Sequence, residues 1–211
     1  MKKALLIFSV AAVAAAFFAF SPADPETLSI GAKAPKTDLK MTDISGGKIS
    51  LADVKKANGL LVVFSCNTCP FVVGSEGSEG WDGRYAELQA VCDKDQVGMI
   101  LVNSNEAKRD KGDSMDEMKK RAEERGFSKS HYVLDKNSEL ANAFFARTTP
   151  HVYLFDKDMK LVYKGSIDDN VDSPAKVTQP YLKNALNNLT SGAPINPAET
   201  KPVGCGIKRV S

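Results

Sequence analysis

The chain has little of what most metal and nucleic-acid sites require. Two histidines and four cysteines in 211 residues are few ligands: Cys66 and Cys69 have ligand spacing, but no second close pair completes a structural zinc site. Basic and acidic side chains nearly balance, 28 against 26. The formal excess of +2 comes from Lys2 and Lys3, so from residue 24 onward the chain is neutral. No long-range field then steers it to nucleic acid or to an anionic membrane. The cluster Lys119-Lys120-Arg121 lies among Glu117, Glu123 and Glu124, the pattern of a solvated helix face. A dinucleotide-binding glycine fingerprint, a phosphate loop and an internal repeat are all missing, and neither a cofactor nor a metal is expected. Long hydrophobic runs are absent except one, from Ala4 to Phe20, broken only by Ser9.

That run follows Lys2 and Lys3 and precedes Ser21-Pro22-Ala23, the layout of a secretory signal with cleavage before Asp24. Residues 1–23 are therefore expected to be a signal peptide. An uncleaved anchor through residues 4–20 is the alternative and would be the only membrane contact. Either outcome exports the domain to a periplasmic or extracellular space, where disulfides persist. The remaining length suits one domain over residues 24–192 with an irregular, Pro-rich tail over 193–211. With 43% hydrophobic, 8% aromatic and 26% charged residues, the chain is not collagen-like, coiled-coil or wholly disordered.

Leu60 to Phe64 and Val97 to Val102 are continuous apolar runs of the kind found in strands covered on both faces. His131 to Leu134 is a shorter strand. Val152 to Phe155 and Leu161 to Tyr163 form a hairpin around the polar stretch Asp156–Lys160. An earlier hairpin is expected from Thr37–Leu39 and Ile49–Leu51 around Gly46-Gly47, with a helical turn or two over 53–58. Trp81, Tyr85, Leu88 and Cys92 recur at helical spacing, which makes Cys92 a packing thiol. Helices are further expected over Met115–Arg125, Asn137–Phe145 and Val177–Leu189. The alternation predicts an α/β fold with a mixed sheet between helices.

The chemistry concentrates at Ser65-Cys66-Asn67-Thr68-Cys69-Pro70, directly after the first buried strand. A CxxC pair whose first residue sits just before a helix closes a small disulfide, and unpaired backbone amides there stabilise a thiolate. Cys66 is then the attacking thiol and Cys69 the resolving one. Pro70 fits the first turn, where a missing donor is tolerated. The other readings of the pair are an inert disulfide and half of a metal site.

With this motif and a second one, Gly204-Cys205-Gly206-Ile207-Lys208, the chain resembles the thioredoxin-fold redoxins. That group holds alkyl hydroperoxide reductase/thiol-specific antioxidant-like proteins and exported thiol-disulfide oxidoreductases with Cys-Asn-x-Cys-Pro and C-terminal Gly-Cys-x-Ile-Lys elements. The resemblance covers most of residues 30–211. It implies a thioredoxin-like fold, and a substrate-binding pair Thr149-Pro150 opposite the dithiol, with Pro150 cis and the residue before it offering its backbone to an extended substrate. It also exposes departures: Ser65 stands where thioredoxins carry Trp, and Leu60 where they carry a buried acid. Glu79 is a spatial substitute to consider for that acid.

A peroxidase reading aligns Cys69-Pro70 with the peroxidatic Cys-Pro of peroxiredoxins. Cys66 then occupies the place of the hydroxyl that binds peroxide, and Arg147 does not match the usual arginine. The expected function is therefore reduction or exchange of protein disulfides by Cys66 and Cys69, with a protein disulfide as substrate and an upstream thiol as reductant. Hydroperoxide reduction at Cys69 and a nonenzymatic binding module are the alternatives. Cys205 is a candidate relay or resolving thiol, a partner for Cys92 in a structural bridge, or a solitary thiol. Asp168 and Asp169 suit turn and cap roles, and His151 is close enough to Pro150 to affect charge or substrate contact. His131 is too isolated to nominate as a ligand.

Overall fold

The computed structural model describes residues 27–210; the expected leader over residues 1–23 lies outside them. The chain enters through a hairpin of β1 (Met41–Asp43) and β2 (Lys48–Ile49), then the one-turn helix α1 (Leu51–Val54). The hairpin still turns at Gly46-Gly47, but its strands lie closer to the turn than expected. Next come β3 (Gly59–Ser65), the single turn α2 (Pro70–Val73), α3 (Tyr85–Lys94), β4 (Val97–Asn103), α4 (Met115–Glu124) and β5 (His131–Leu134). The second half holds α5 (Glu139–Ala143), β6 (Thr148–Thr149), β7 (His151–Phe155), β8 (Leu161–Gly165), α6 (Tyr181–Ser191) and β9 (Cys205–Gly206).

Seven strands make one mixed sheet in the order β2-β1-β5-β4-β3-β7-β8. β3, β4 and β5 run parallel, while β7 joins β3 antiparallel and β8 joins β7 antiparallel. All seven residues of β3 and all seven of β4 are buried. Their alternate side chains feed two separate cores, as the two-residue period of a strand requires. Leu61, Val63, Met99 and Leu101 pack with Tyr85, Leu88, Met118, Ala122, Leu182 and Leu186, the apolar faces of α3, α4 and α6. Leu60, Val62, Phe64, Ile100 and Val102 pack with Leu51, Val54, Leu140 and Ala141 from α1 and α5. Each such side chain contributes about 1.5–3 kcal/mol on burial. The two layers together hold the C-terminal ends of β3 and β4 rigid. At the other end of β3, Gly59 has φ +139° and a Cβ there would fall 2.0 Å from the Phe155 carbonyl oxygen, so no side chain fits.

The helical turn expected over 53–58 lies at Leu51–Val54, the helix expected over 137–145 is confined to Glu139–Ala143, and other elements differ for local reasons. Residues 81–84 form a 3-10 turn before α3 begins at Tyr85. Asp82, buried, receives Arg121 of α4 at 2.6 Å and Arg125, just beyond it, at 2.9 Å, tying that turn down. The last helix starts at Tyr181 because Pro180 stands at its N-cap position. The tail beyond residue 192, expected to be irregular, ends in a strand: β9 pairs antiparallel with β6, Thr148 opposite Gly206 and Thr149 opposite Cys205.

Candidate dithiol site

β3 ends at Ser65, whose hydroxyl meets the Tyr85 hydroxyl at 2.9 Å, and Cys66 follows at once. The helix that carries the motif begins later than the sequence suggests. Pro70 is its first residue, and Cys69, not Cys66, stands at its N-cap with extended backbone. The intervening turn is held by a buried carboxylate. Asp113 accepts from the Asn67 amide at 2.6 Å, the Thr68 hydroxyl at 2.7 Å, and the Asn103 and Asn105 side-chain amides at 2.9 and 3.0 Å. Tyr132 adds a hydrogen bond from its hydroxyl to Asn67 Oδ1 at 3.1 Å.

The Thr149-Pro150 peptide bond is cis, and Thr149 faces both cysteines. Cys66 Sγ lies 3.1 Å from Thr149 Oγ1, and the Cys69 thiol donates to the Thr149 carbonyl at 3.0 Å. From the other side the Cys205 amide donates to Cys69 Sγ at 3.3 Å. All four cysteines are free. Cys66, Cys69 and Cys205 thus converge on Thr149, and both cysteines of the motif are buried, Cys66 1% exposed and Cys69 2%. Cys92 is buried on α3 and burial pushes its thiol up to about 12. Cys205 lies at the dithiol, with no bond to Cys92.

The surroundings separate the two thiols of the motif. The Cys66 hydrogen bond lowers Cys69 first; burial opposes it, and the Cys205 side chain and amide and the Phe71 amide lower it further, to about 5. Cys66 moves the other way. Burial raises it well above an ordinary thiol, its donation to Cys69 raises it again, and the Asp113 charge adds to this. Burial likewise lifts Cys205 to about 11. One sulfur is therefore the favoured thiolate, with two neighbours kept as proton-bearing donors. Once Cys69 ionises it can no longer donate to the Thr149 carbonyl, so that contact belongs to the thiol form.

Leu60 is buried on the α1 and α5 side of the sheet, and Glu79 is exposed, with its carbonyl accepting from Arg125. The acid near the pair is Asp113, which no motif in the sequence marks out. His151 is buried beside the Tyr153 hydroxyl at 3.2 Å, and burial pushes it down to about 3, so it carries no charge near Pro150. His131 is half exposed, 3.7 Å from Asp43. Asp168 accepts the Trp81 indole at 2.8 Å and the Asn170 amide at 2.9 Å. Asp169 accepts the Thr178 amide at 2.9 Å. Arg147 lines a cavity of about 550 Å³ with Lys164 and Lys201. Among the described residues there is no group of three or more His, Cys, Asp or Glu placed to hold a metal ion. None of the helices there is long and apolar enough to cross a membrane.

Comparison with known proteins agrees with this fold. The AhpC/TSA family model matches residues 30–164. The chain is similar to an uncharacterized conserved protein from Geobacillus kaustophilus, with 32% identity, a TM-score of 0.77, and coverage of 87% of this chain and 94% of that one. A hypothetical protein from Sinorhizobium meliloti is 26% identical with a TM-score of 0.77, over 88% and 97% of the two chains. Peroxidoxin BcpB from Mycobacterium tuberculosis shares the fold at 15% identity and a TM-score of 0.54, over 78% and 97%. Thiol-disulfide oxidoreductase domains stand among the further fold neighbours. No curated protein matches.

Proposed function

The chain belongs to the AhpC/TSA family of thioredoxin-fold redoxins, and from that premise we propose that it is an exported thiol-disulfide oxidoreductase that reduces or exchanges protein disulfides through Cys66 and Cys69. The observation that carries this reading is the meeting of both sulfurs at Thr149 beside the cis Pro150, Cys66 Sγ 3.1 Å from its hydroxyl and Cys69 Sγ 3.0 Å from its carbonyl. Disulfide exchange needs a thiolate and a second thiol within reach of it. The order of attack is the reverse of the one the motif suggests. The Cys69 thiolate attacks one sulfur of the substrate disulfide, forming a mixed disulfide and releasing the first substrate thiolate, which takes up a proton. Cys66 gives up its proton and attacks Cys69 Sγ. The second substrate thiolate leaves, and the Cys66–Cys69 disulfide forms. Two electrons have passed from the dithiol to the substrate. An upstream thiol reductant returns them, and Cys205 is the thiol positioned to receive the bond from Cys69 on the way. Export rests on the leader pattern of residues 1–23.

One observation favours a second reading, hydroperoxide reduction: the favoured thiolate is the sulfur next to Pro70. Reduction of insulin disulfides and consumption of hydrogen peroxide, measured side by side, separate the two. Disulfide reduction lost in Cys69→Ala, and stalled as a mixed disulfide in Cys66→Ala, is the expected result. Fast peroxide consumption that survives in Cys66→Ala gives the site to the peroxidase reading. Disulfide reduction untouched by either substitution leaves only a binding module.

A further inference from the structure

The docking edge beside the dithiol is occupied by the chain's own tail. Residues 205–207 run antiparallel along residues 147–149: Cys205 and Gly206 pair with Thr149 and Thr148, and the Ile207 amide donates to the Arg147 carbonyl at 2.9 Å. On either side the tail is fastened. The Ser166 hydroxyl donates to the Lys201 carbonyl at 2.7 Å, and Ile207 is buried in the core under α1 and α5. Lys208 donates its amide to Asn105, and Arg209 donates to the Asn142 side chain and the Ala146 carbonyl. Between these anchors residues 202–206 are held mainly by the strand pairing itself, and Val203 stands 39% exposed.

The fit of this segment is selective at one position. A Cβ on Gly204 would lie 2.2 Å from the Thr149 carbonyl oxygen and 3.1 Å from the Pro150 nitrogen. Both are rigid backbone atoms, so the edge accepts only glycine there. A Cβ on Gly206 would meet nothing closer than the Arg147 carbonyl oxygen at 3.9 Å. The Gly-Cys-Gly triplet is thus used for close approach at its first glycine and leaves its second unconstrained by contact. The cysteine between them presents its amide to Cys69 Sγ.

We propose that the Thr148–Thr149 edge docks an extended polypeptide whose cysteine is directly preceded by glycine, and that residues 204–206 are its resting occupant, displaced by a partner protein's disulfide-bearing segment of the same form. The proposal rests on the dithiol reading and names its substrate class. Strand addition supplies main-chain hydrogen bonds, and the glycine contact supplies the selection. A docked segment brings its cysteine amide to the Cys69 sulfur, as Cys205 does now. Cys69 then attacks that cysteine's sulfur, the partner sulfur leaves as a thiolate, and Cys66 completes the two-electron transfer.

The test uses the full chain and two synthetic pentapeptides, Val-Gly-Cys-Gly-Ile and Val-Ala-Cys-Gly-Ile, each as a mixed disulfide with thionitrobenzoate. Release of the coloured thiolate reports the attack by Cys69. The glycine peptide is expected to react roughly tenfold faster, equivalent to ~1.4 kcal/mol. Gly204→Ala, which ejects the resting strand, should speed the glycine peptide by a similar factor. Equal rates for the two peptides, with dithiobis(nitrobenzoate) still consumed at Cys69, overturn the docking proposal and leave the dithiol reading standing. A Gly204→Ala chain that folds and reacts more slowly overturns it as well; if that variant does not fold, the peptide pair on the unaltered chain decides. If neither peptide nor dithiobis(nitrobenzoate) reacts at Cys69, the dithiol reading fails and this proposal with it.

Discussion

Replacing Cys66 by alanine removes the largest stabilising contact of the Cys69 thiolate while leaving the Cys205 and Phe71 donors in place. A hydrogen bond to a charged group is worth about 1.5–3 kcal/mol, and each pH unit in a pKa corresponds to about 1.4 kcal/mol. Starting from about 5, the Cys69 midpoint should therefore rise by roughly one to two pH units in Cys66→Ala. In Cys66→Ser a hydroxyl keeps the donor, and the midpoint should stay nearer its original position. Thiolate absorbance near 240 nm, followed by acid titration of the fully reduced protein, reads this without any need for reagent access to a buried sulfur. The decisive comparison is between the two single variants. If the low midpoint vanishes in Cys66→Ala and survives in Cys69→Ala, Cys66 is the thiolate and the order with Cys69 first is refuted. An unaltered chain with no thiol titrating below pH 7 would refute the whole electrostatic argument.

Further consequences follow from other buried groups. His151 has its pKa held down at about 3 by burial, whereas an unfolded imidazole titrates near 6.5. The unfolded chain binds the extra proton between those values, so the stability contribution is complete above pH 6.5 and is lost as pH falls toward 3. About 2 kcal/mol should be gone by pH 5, and His151→Gln should flatten that loss in urea titrations at pH 7 and pH 5. Asp113→Ala strands four donors around the Asn67-Thr68 turn and should cost about 3 kcal/mol or more, visible as a lower Tm. Asp113→Asn should cost less and, by removing a charge that raises Cys66, should lower the Cys66 pKa; a purely structural role would not move that titration. Cys69 and Cys205 should appear disulfide-linked in non-reducing peptide maps of mildly oxidised Cys66→Ser. A map in which Cys205 stays free throughout would remove it from the relay.

The parts of this fold that were legible in the sequence are those carried by long apolar runs. β3 and β4 announced themselves because burial on both faces demands uninterrupted Leu, Val, Ile and Phe, and α3 and α4 because one face must repeat every three or four residues. The shorter elements carry no such signal. β9 is two residues long, and Gly-Cys-Gly-Ile has no alternation to read, yet its backbone pairing closes the site. Asp113 was invisible for a related reason: one carboxylate in a polar loop looks the same whether it meets water or four buried donors. Thr149 and Pro150 were singled out by resemblance, since nothing in their spacing from Cys66 points to contact.

The proposed order of the two sulfurs illustrates why motif spacing alone does not settle chemistry. CxxC fixes that two thiols are close, but which one ionises depends on where the helix starts and on what donors the rest of the chain delivers. Here Pro70 opens the helix, so Cys69 takes the N-cap position, and Cys205 arrives from far along the chain to donate to the same sulfur. Cys66, just after a strand buried on both faces, is raised most by burial, and the Thr149 hydroxyl opposes this only in part while the Asp113 charge adds to it. Both effects act in the same direction, lowering one thiol and raising the other. The pair is polarised by its surroundings, and in the docking proposal the tail that supplies part of that polarisation is also what a substrate displaces. Access and reactivity at Cys69 are therefore coupled: the strand that shields the thiolate helps to form it, and a substrate segment reaching the same edge brings an amide that replaces the one it removes.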